Sequence, residues 1–187
     1  CTEVGALLIF DEIQTGIGRT GTLFAFEQFG VVPDILTLGK ALGGGMPIGA
    51  FVASRTLMDC WTDAPMLGHI TTFGGHPISC IAAKTGLDVL FEENIIPAVQ
   101  AKGRLFKSLL EHPAVKEFRH AGLMMAVELE SPERVQQVVE YCRKKGVLAF
   151  WFLSCTDSFR MQPPLTISEE QIRVACAVIV EGLEFEG

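Results

Sequence analysis

Apolar residues in the first half of the chain come in short unbroken runs. Ala6-Leu7-Leu8-Ile9-Phe10 ends at Asp11-Glu12. A continuous run of this length suits a strand buried on both faces of a parallel sheet. Residues 34–38 and 48–53 read as two more strands. From Pro77 the spacing turns helical. Ile78, Ile81, Ala82, Leu87 and Leu90 predict a helix from Pro77 to about Phe91, and a second runs from about Ile96 to Leu110. Asn94 and Pro97 interrupt the two, which places a domain boundary between 1–94 and 95–187. Beyond it, Leu123–Leu129 reads as a strand. Ser131-Pro132-Glu133 opens a helix with a capping serine, a first-position proline and an acid in the first turn. That helix runs to Lys145 and stops at Gly146. Residues 147–150 and 158–162 read as short strands, and Ser168 with Gln171 forms a capping box for a last helix. The pattern is α/β throughout, with no internal repeat.

Composition narrows the function classes. The 187 residues suffice for one sizeable core or two small ones. No apolar run approaches the roughly 20 residues of a membrane-spanning helix, and no N-terminal signal pattern is visible. The net charge of −7 argues against nucleic acid and anionic membrane as partners. The basic run Arg143-Lys144-Lys145 falls at a predicted helix end, where cations suit the dipole. Six scattered cysteines without C-x-x-C spacing read as thiols in a reducing cytoplasm. The histidines, His69, His76, His112 and His120, lack metal spacing, so no metal site is expected.

The chemistry concentrates in DILTLGKALGGGMPIGA, residues 34–50. Ligands of open α/β sheets collect at the carboxyl ends of strands, and both Asp11 and Lys40 lie just past predicted strand ends. Gly39 is expected to let the backbone turn sharply beside the amine, and Gly43-Gly44-Gly45 to clear side chains from one wall. Gly16-Ile17-Gly18-Arg19-Thr20-Gly21 matches the dinucleotide pattern G-x-G-x-x-G. It does not follow its strand directly, however, and opens no convincing helix. A lysine amine in a partly dry site can become a nucleophile toward carbonyls. Pyridoxal phosphate chemistry needs such a lysine, and a carboxylate on the pyridinium nitrogen; Asp11 is a candidate. Thr71-Thr72-Phe73-Gly74-Gly75-His76-Pro77 adds two hydroxyls and two glycines before a helix start, a place suited to phosphate.

LLIFDEIQTGIGRTGTLFAFEQFGVVPDILTLGKALGGGMPIGA, TTFGGHP and FRMQPPLTIS together resemble the class III (ω-amino acid) aminotransferases. The resemblance runs from about Leu7 to the last helix. It implies the fold type I of pyridoxal 5'-phosphate-dependent transferases, with 1–94 as the C-terminal part of the large cofactor-binding domain and 95–187 as the small α/β domain. Lys40 matches the lysine that holds the cofactor as a Schiff base and shuttles the proton. Asp11 matches the aspartate on the ring nitrogen, Ile13 an aliphatic residue on one ring face, and Gln14 a glutamine near the phenolic oxygen. Thr72 matches a threonine that reaches the phosphate of the neighbouring subunit's cofactor, which implies a homodimer with shared sites. Arg160 matches an arginine that receives a substrate carboxylate. Arg19 also has a family counterpart and reads as structural, while His76 stands where many relatives carry asparagine.

The implied reaction moves an amino group from ornithine, N-acetylornithine or 4-aminobutyrate to an oxo acid such as 2-oxoglutarate. The donor is left open, because most pocket residues of the family lie upstream of the match. Relatives run to more than twice this length, so the chain is expected to be a C-terminal half, with a complementary N-terminal half or an apolar association surface. Two rivals stand beside this reading. A dialkylglycine-type decarboxylase resembles the chain around GRTGT and PDILTL. The chain as isolated could also be a non-catalytic piece of such an enzyme.

Overall fold

The computed structural model of the chain describes residues 1–62, 68 and 70–185, and His69 lies outside them. The chain gathers into two units. One comprises Cys1–Gly18 and Thr22–Asn94, the other Arg19–Gly21 and Ile95–Gly187. Among the described residues, no helix is long and apolar enough to cross a membrane, and no cluster of three or more His, Cys, Asp or Glu could hold a metal ion.

The first unit is built on a three-stranded sheet. Strand β1 (Ile9–Asp11) pairs in parallel with β2 (Ile35–Leu38), with Asp11 opposite Thr37. Strand β3 (Ala50–Ala53) runs antiparallel on the other side of β2. The expectation of parallel strands buried on both faces is thereby corrected. Leu36 and Leu38 of the central strand are buried, but Ile9 is 56% and Val52 54% exposed. The reason is position: β1 and β3 are the two edges of the sheet, and the unit's long helix packs elsewhere. A short helix α1 (Arg55–Asp59), capped by the Ser54 hydroxyl, is too brief for periodicity to reveal. Helix α2 (Pro77–Glu92) matches its predicted span and packs on the 3-10 turn at Lys40–Gly43.

The second unit sets three helices on one face of an antiparallel sheet. Helix α3 (Ile96–Leu109) leads into β4 (Glu117–Ala121) and β5 (Met124–Glu128). Helix α4 (Pro132–Lys144) precedes β6 (Phe150–Trp151) and β7 (Ser158–Met161), and α5 (Glu169–Glu184) ends the unit. The strand order is β4-β5-β7-β6. Val99 and Phe106 of α3, Val135 and Val138 of α4, and Ile172 and Ile179 of α5 close over Met125, Val127 and Phe159. The serine caps form as predicted, Ser131 accepting from the Arg134 amide and Ser168 from that of Gln171.

Two details differ from the pattern-based reading. Strand β4 escapes it because Glu117, Arg119 and His120 break the apolar alternation on an edge strand, where charge is the usual defence against unwanted pairing. Strand β6 is shorter than 147–150 suggested. The Val147 amide donates to the Cys142 carbonyl at 2.8 Å, so the start of that segment closes α4 and does not pair in the sheet.

Candidate active site

Asp11 is the last residue of β1, and Lys40 follows the end of β2 by two residues. The parallel register therefore delivers a carboxylate and an amine to the same end of the first unit's sheet, the carboxyl end of the β1–β2 pair. One Asp11 oxygen accepts the Ile13 amide at 3.0 Å, which bends the chain so that Ile13 returns toward β2. A Cβ added at Gly39 would sit 3.4 Å from Ile13 Cγ2. Ile13 thus lies against the residue preceding Lys40, and half-buried Gln14 follows it.

The sharp turn beside the amine is made by Lys40 itself, not by Gly39. Gly39 is extended, whereas Lys40 has φ of 44°. Left-handed backbone is uncommon for a residue with a Cβ and costs about 1–2 kcal/mol. The amine is exposed, and among the described residues neither a hydrogen bond nor an ion pair engages it. The glycine run also has another use than the expected open wall. Gly44 has φ of 55°, and a Cβ there would meet the Ala82 carbonyl oxygen of α2 at 2.5 Å. Backbone contact with α2 therefore anchors the turn that carries Lys40.

The loop after β1 is held by a residue that pattern reading passed over. Glu12 is 3% exposed. Its carboxylate accepts the Phe26 amide at 2.8 Å and the Thr15 hydroxyl, and its amide donates to the Thr37 carbonyl at 3.0 Å. A second acid directly after Asp11 at a strand end was the available signal. The Gly16–Gly21 motif forms turns, not a helix start, as its context predicted. Thr72 lies on the exposed stretch before α2 and makes no hydrogen bond to Asp11, Ile13, Gln14 or Lys40. His76 precedes Pro77 without a side-chain cap, which leaves first-turn amides of α2 to other acceptors.

Arg160 belongs to the second unit and lies on the sheet face away from the helices. Register pairs Arg119 with Ala126, Ala126 with Arg160 and Arg160 with Phe150, giving one row across four strands. The two arginines of that row differ. Arg119 is bound by Glu128 at 2.6 Å and by Glu117, and these carboxylates hold its guanidinium well above the usual arginine range. No carboxylate among the described residues pairs with Arg160, whose guanidinium carbon lies over the Phe150 ring, 5.8 Å from its centre. A cleft of about 480 Å³ is lined by both residues, with Phe106, Val147, Met161 and Ile167 among its apolar walls. Arg19 is structural within the same unit. It donates to the Pro163 carbonyl at 2.7 Å and the Leu123 carbonyl at 3.2 Å, and burial lowers its pKa.

The family sequence profile described as "Aminotransferase class-III" matches residues 1–183, so the chain, with its amine and carboxylate at one end of a sheet, belongs to the class III aminotransferase family. That family uses pyridoxal phosphate and is typically dimeric. An acetylornithine aminotransferase of Haemophilus ducreyi is 43% identical over 184 residues, which are 98% of this chain and 45% of that protein. An aminotransferase of Bacillus anthracis matches with a TM-score of 0.91 at 30% identity, over 98% of this chain and 46% of its own. The ornithine aminotransferase of Toxoplasma gondii matches with a TM-score of 0.89 at 35% identity, over 98% and 44%. The chain thus spans less than half the length of these relatives.

Proposed function

We propose that the protein containing this chain transfers the amino group of an ω-amino acid of the ornithine, acetylornithine or 4-aminobutyrate class to an oxo acid such as 2-oxoglutarate, with pyridoxal phosphate anchored on Lys40. The observation that carries this reading is the strained left-handed Lys40, its amine unengaged, at the sheet end that also bears Asp11. Left-handed backbone at an exposed lysine, on a turn that Gly44 holds against α2, supports a functional role at that position.

The residues fit the cofactor. Asp11 supplies the carboxylate for the ring nitrogen, Ile13 an aliphatic surface for one ring face, and Gln14 an amide for the phenolic oxygen. Thr72 supplies a hydroxyl for phosphate, and it serves the neighbouring subunit's site in a homodimer. When bound, pyridoxal phosphate acts as an electron sink for the substrate carbon. Lys40 Nζ takes and returns the proton at the carbon that bears the donor's amino group. Arg160, with no internal carboxylate, receives a substrate carboxylate through its two-pronged donor set. Residues 1–94 then form part of the large cofactor-binding domain and 95–187 the small domain of a cytoplasmic enzyme. The exposure of both Lys40 and Asp11 supports a corollary: turnover needs further protein to enclose the site.

The test is to add pyridoxal phosphate, reduce with borohydride and map the labelled peptide. A label at Lys40, lost in Lys40→Ala, is the expected result. A label spread over exposed lysines such as Lys84, at the same yield in Lys40→Ala, would overturn the assignment.

A further inference from the structure

We infer that Phe150 is a positioning residue for Arg160, fixing the direction in which its guanidinium meets a carboxylate; this rests on the proposed role of Arg160. Phe150 and Arg160 are direct partners in the antiparallel register, so their side chains leave the same face of the sheet. The Arg160 guanidinium carbon lies over the ring at 5.8 Å from its centre. A ring face holds a guanidinium by its charge while using none of its N–H donors, which lie in the guanidinium plane. Arg119 shows the alternative in the same row: carboxylates orient it and occupy its donors.

Phe150 is also a poor choice on other grounds. It is 53% exposed on a two-residue edge strand, where a charged or small polar residue would guard the edge better. A local rule broken at a residue that touches a binding group points to function at that residue. On the sheet face away from the helices, a carboxylate that meets the donors of Arg160 therefore arrives beside an aromatic surface.

The experiment uses this chain, labelled for detection of arginine side-chain resonances, with glutarate as the probe. In the unmodified chain the Arg160 side-chain protons should be shifted upfield by the ring, and glutarate should perturb them. Phe150→Leu should remove the ring shift and weaken glutarate by about threefold, the size of an exposed cation–π contact. Phe150→Tyr keeps the ring and should restore both the shift and the affinity, a rescue that a merely space-filling role would not separate from leucine. If Arg160→Gln abolishes glutarate binding while Phe150→Leu leaves it unchanged, the positioning role falls and the Arg160 assignment stands. If Arg160→Gln leaves glutarate binding unchanged, both fall.

Discussion

Gly103→Ala in α3 offers a sharp test, because local and tertiary physics give opposite signs. In an isolated helix the change is favourable by about 1 kcal/mol. Here Gly103 is buried against the turn between β4 and β5. A Cβ at this position would overlap the Gly122 carbonyl oxygen and lie 3.0 Å from both the Gly122 carbonyl carbon and His120 Nδ1. Ordinary carbon–oxygen contact begins near 3.3 Å, so helix and turn must separate by roughly 1 Å. The turn has nowhere to go. Gly122 has φ of 57°, and its own missing Cβ would sit 2.8 Å from the Arg19 carbonyl oxygen and 2.8 Å from Val99 Cγ1. Retreat would also loosen the Leu123 amide, which donates to the Arg19 carbonyl at 3.1 Å. Overpacking of about 1–3 kcal/mol and about 1 kcal/mol for a weakened hydrogen bond outweigh the propensity gain. The expected net loss is about 2 kcal/mol, read as a lower urea midpoint by circular dichroism. Gly86→Ala in α2 is the control. Its nearest neighbour is Gly44 Cα at 3.5 Å, so it should be neutral or stabilising by up to about 1 kcal/mol. A Gly103→Ala chain as stable as the unmodified one would refute the argument.

Three further outcomes follow from the same structure. Lys40→Gly should leave stability unchanged or raise it by up to about 1 kcal/mol, because glycine adopts left-handed backbone without strain, while abolishing cofactor labelling; a destabilised variant in urea unfolding would contradict the assigned strain. Glu12→Ala should cost about 2 kcal/mol in the same assay, since it strips a part-buried amide and a part-buried hydroxyl of their acceptor. Burial pushes the Cys142 thiol up to about 11 and the Cys176 thiol up to about 12. The unfolded chain releases these protons from about pH 9 and the folded chain only later. The folded state therefore binds more protons in that window, and stability should fall as pH rises from about 9 to 11, by up to about 1.4 kcal/mol per pH unit for each thiol. A urea midpoint independent of pH in that window would count against buried thiols.

The site divides into a part that pattern reading reached and a part it could not. Lys40 and Asp11 were legible as candidates because each follows an apolar run, and a strand's end is a local property of the chain. The role of Gly39 was misassigned because glycine permits a turn without requiring one; the structure bends at Lys40. Glu12 was passed over because its partners, Phe26 and Thr15, are brought to it by the loop's path and not by helical or strand spacing.

By itself the sequence determined the family motifs, which are strings of particular residues, and the two serine-capped helices and most longer elements, β4 and α1 excepted, which rest on repeats of about two or 3.6 residues and on single capping positions. Only the tertiary structure decided which faces stay exposed, which of two arginines in one row is left without a carboxylate, and which ring lies beneath it. Those outcomes depend on register between strands far apart in the chain, and a register is fixed by packing of the whole sheet, which no local window contains.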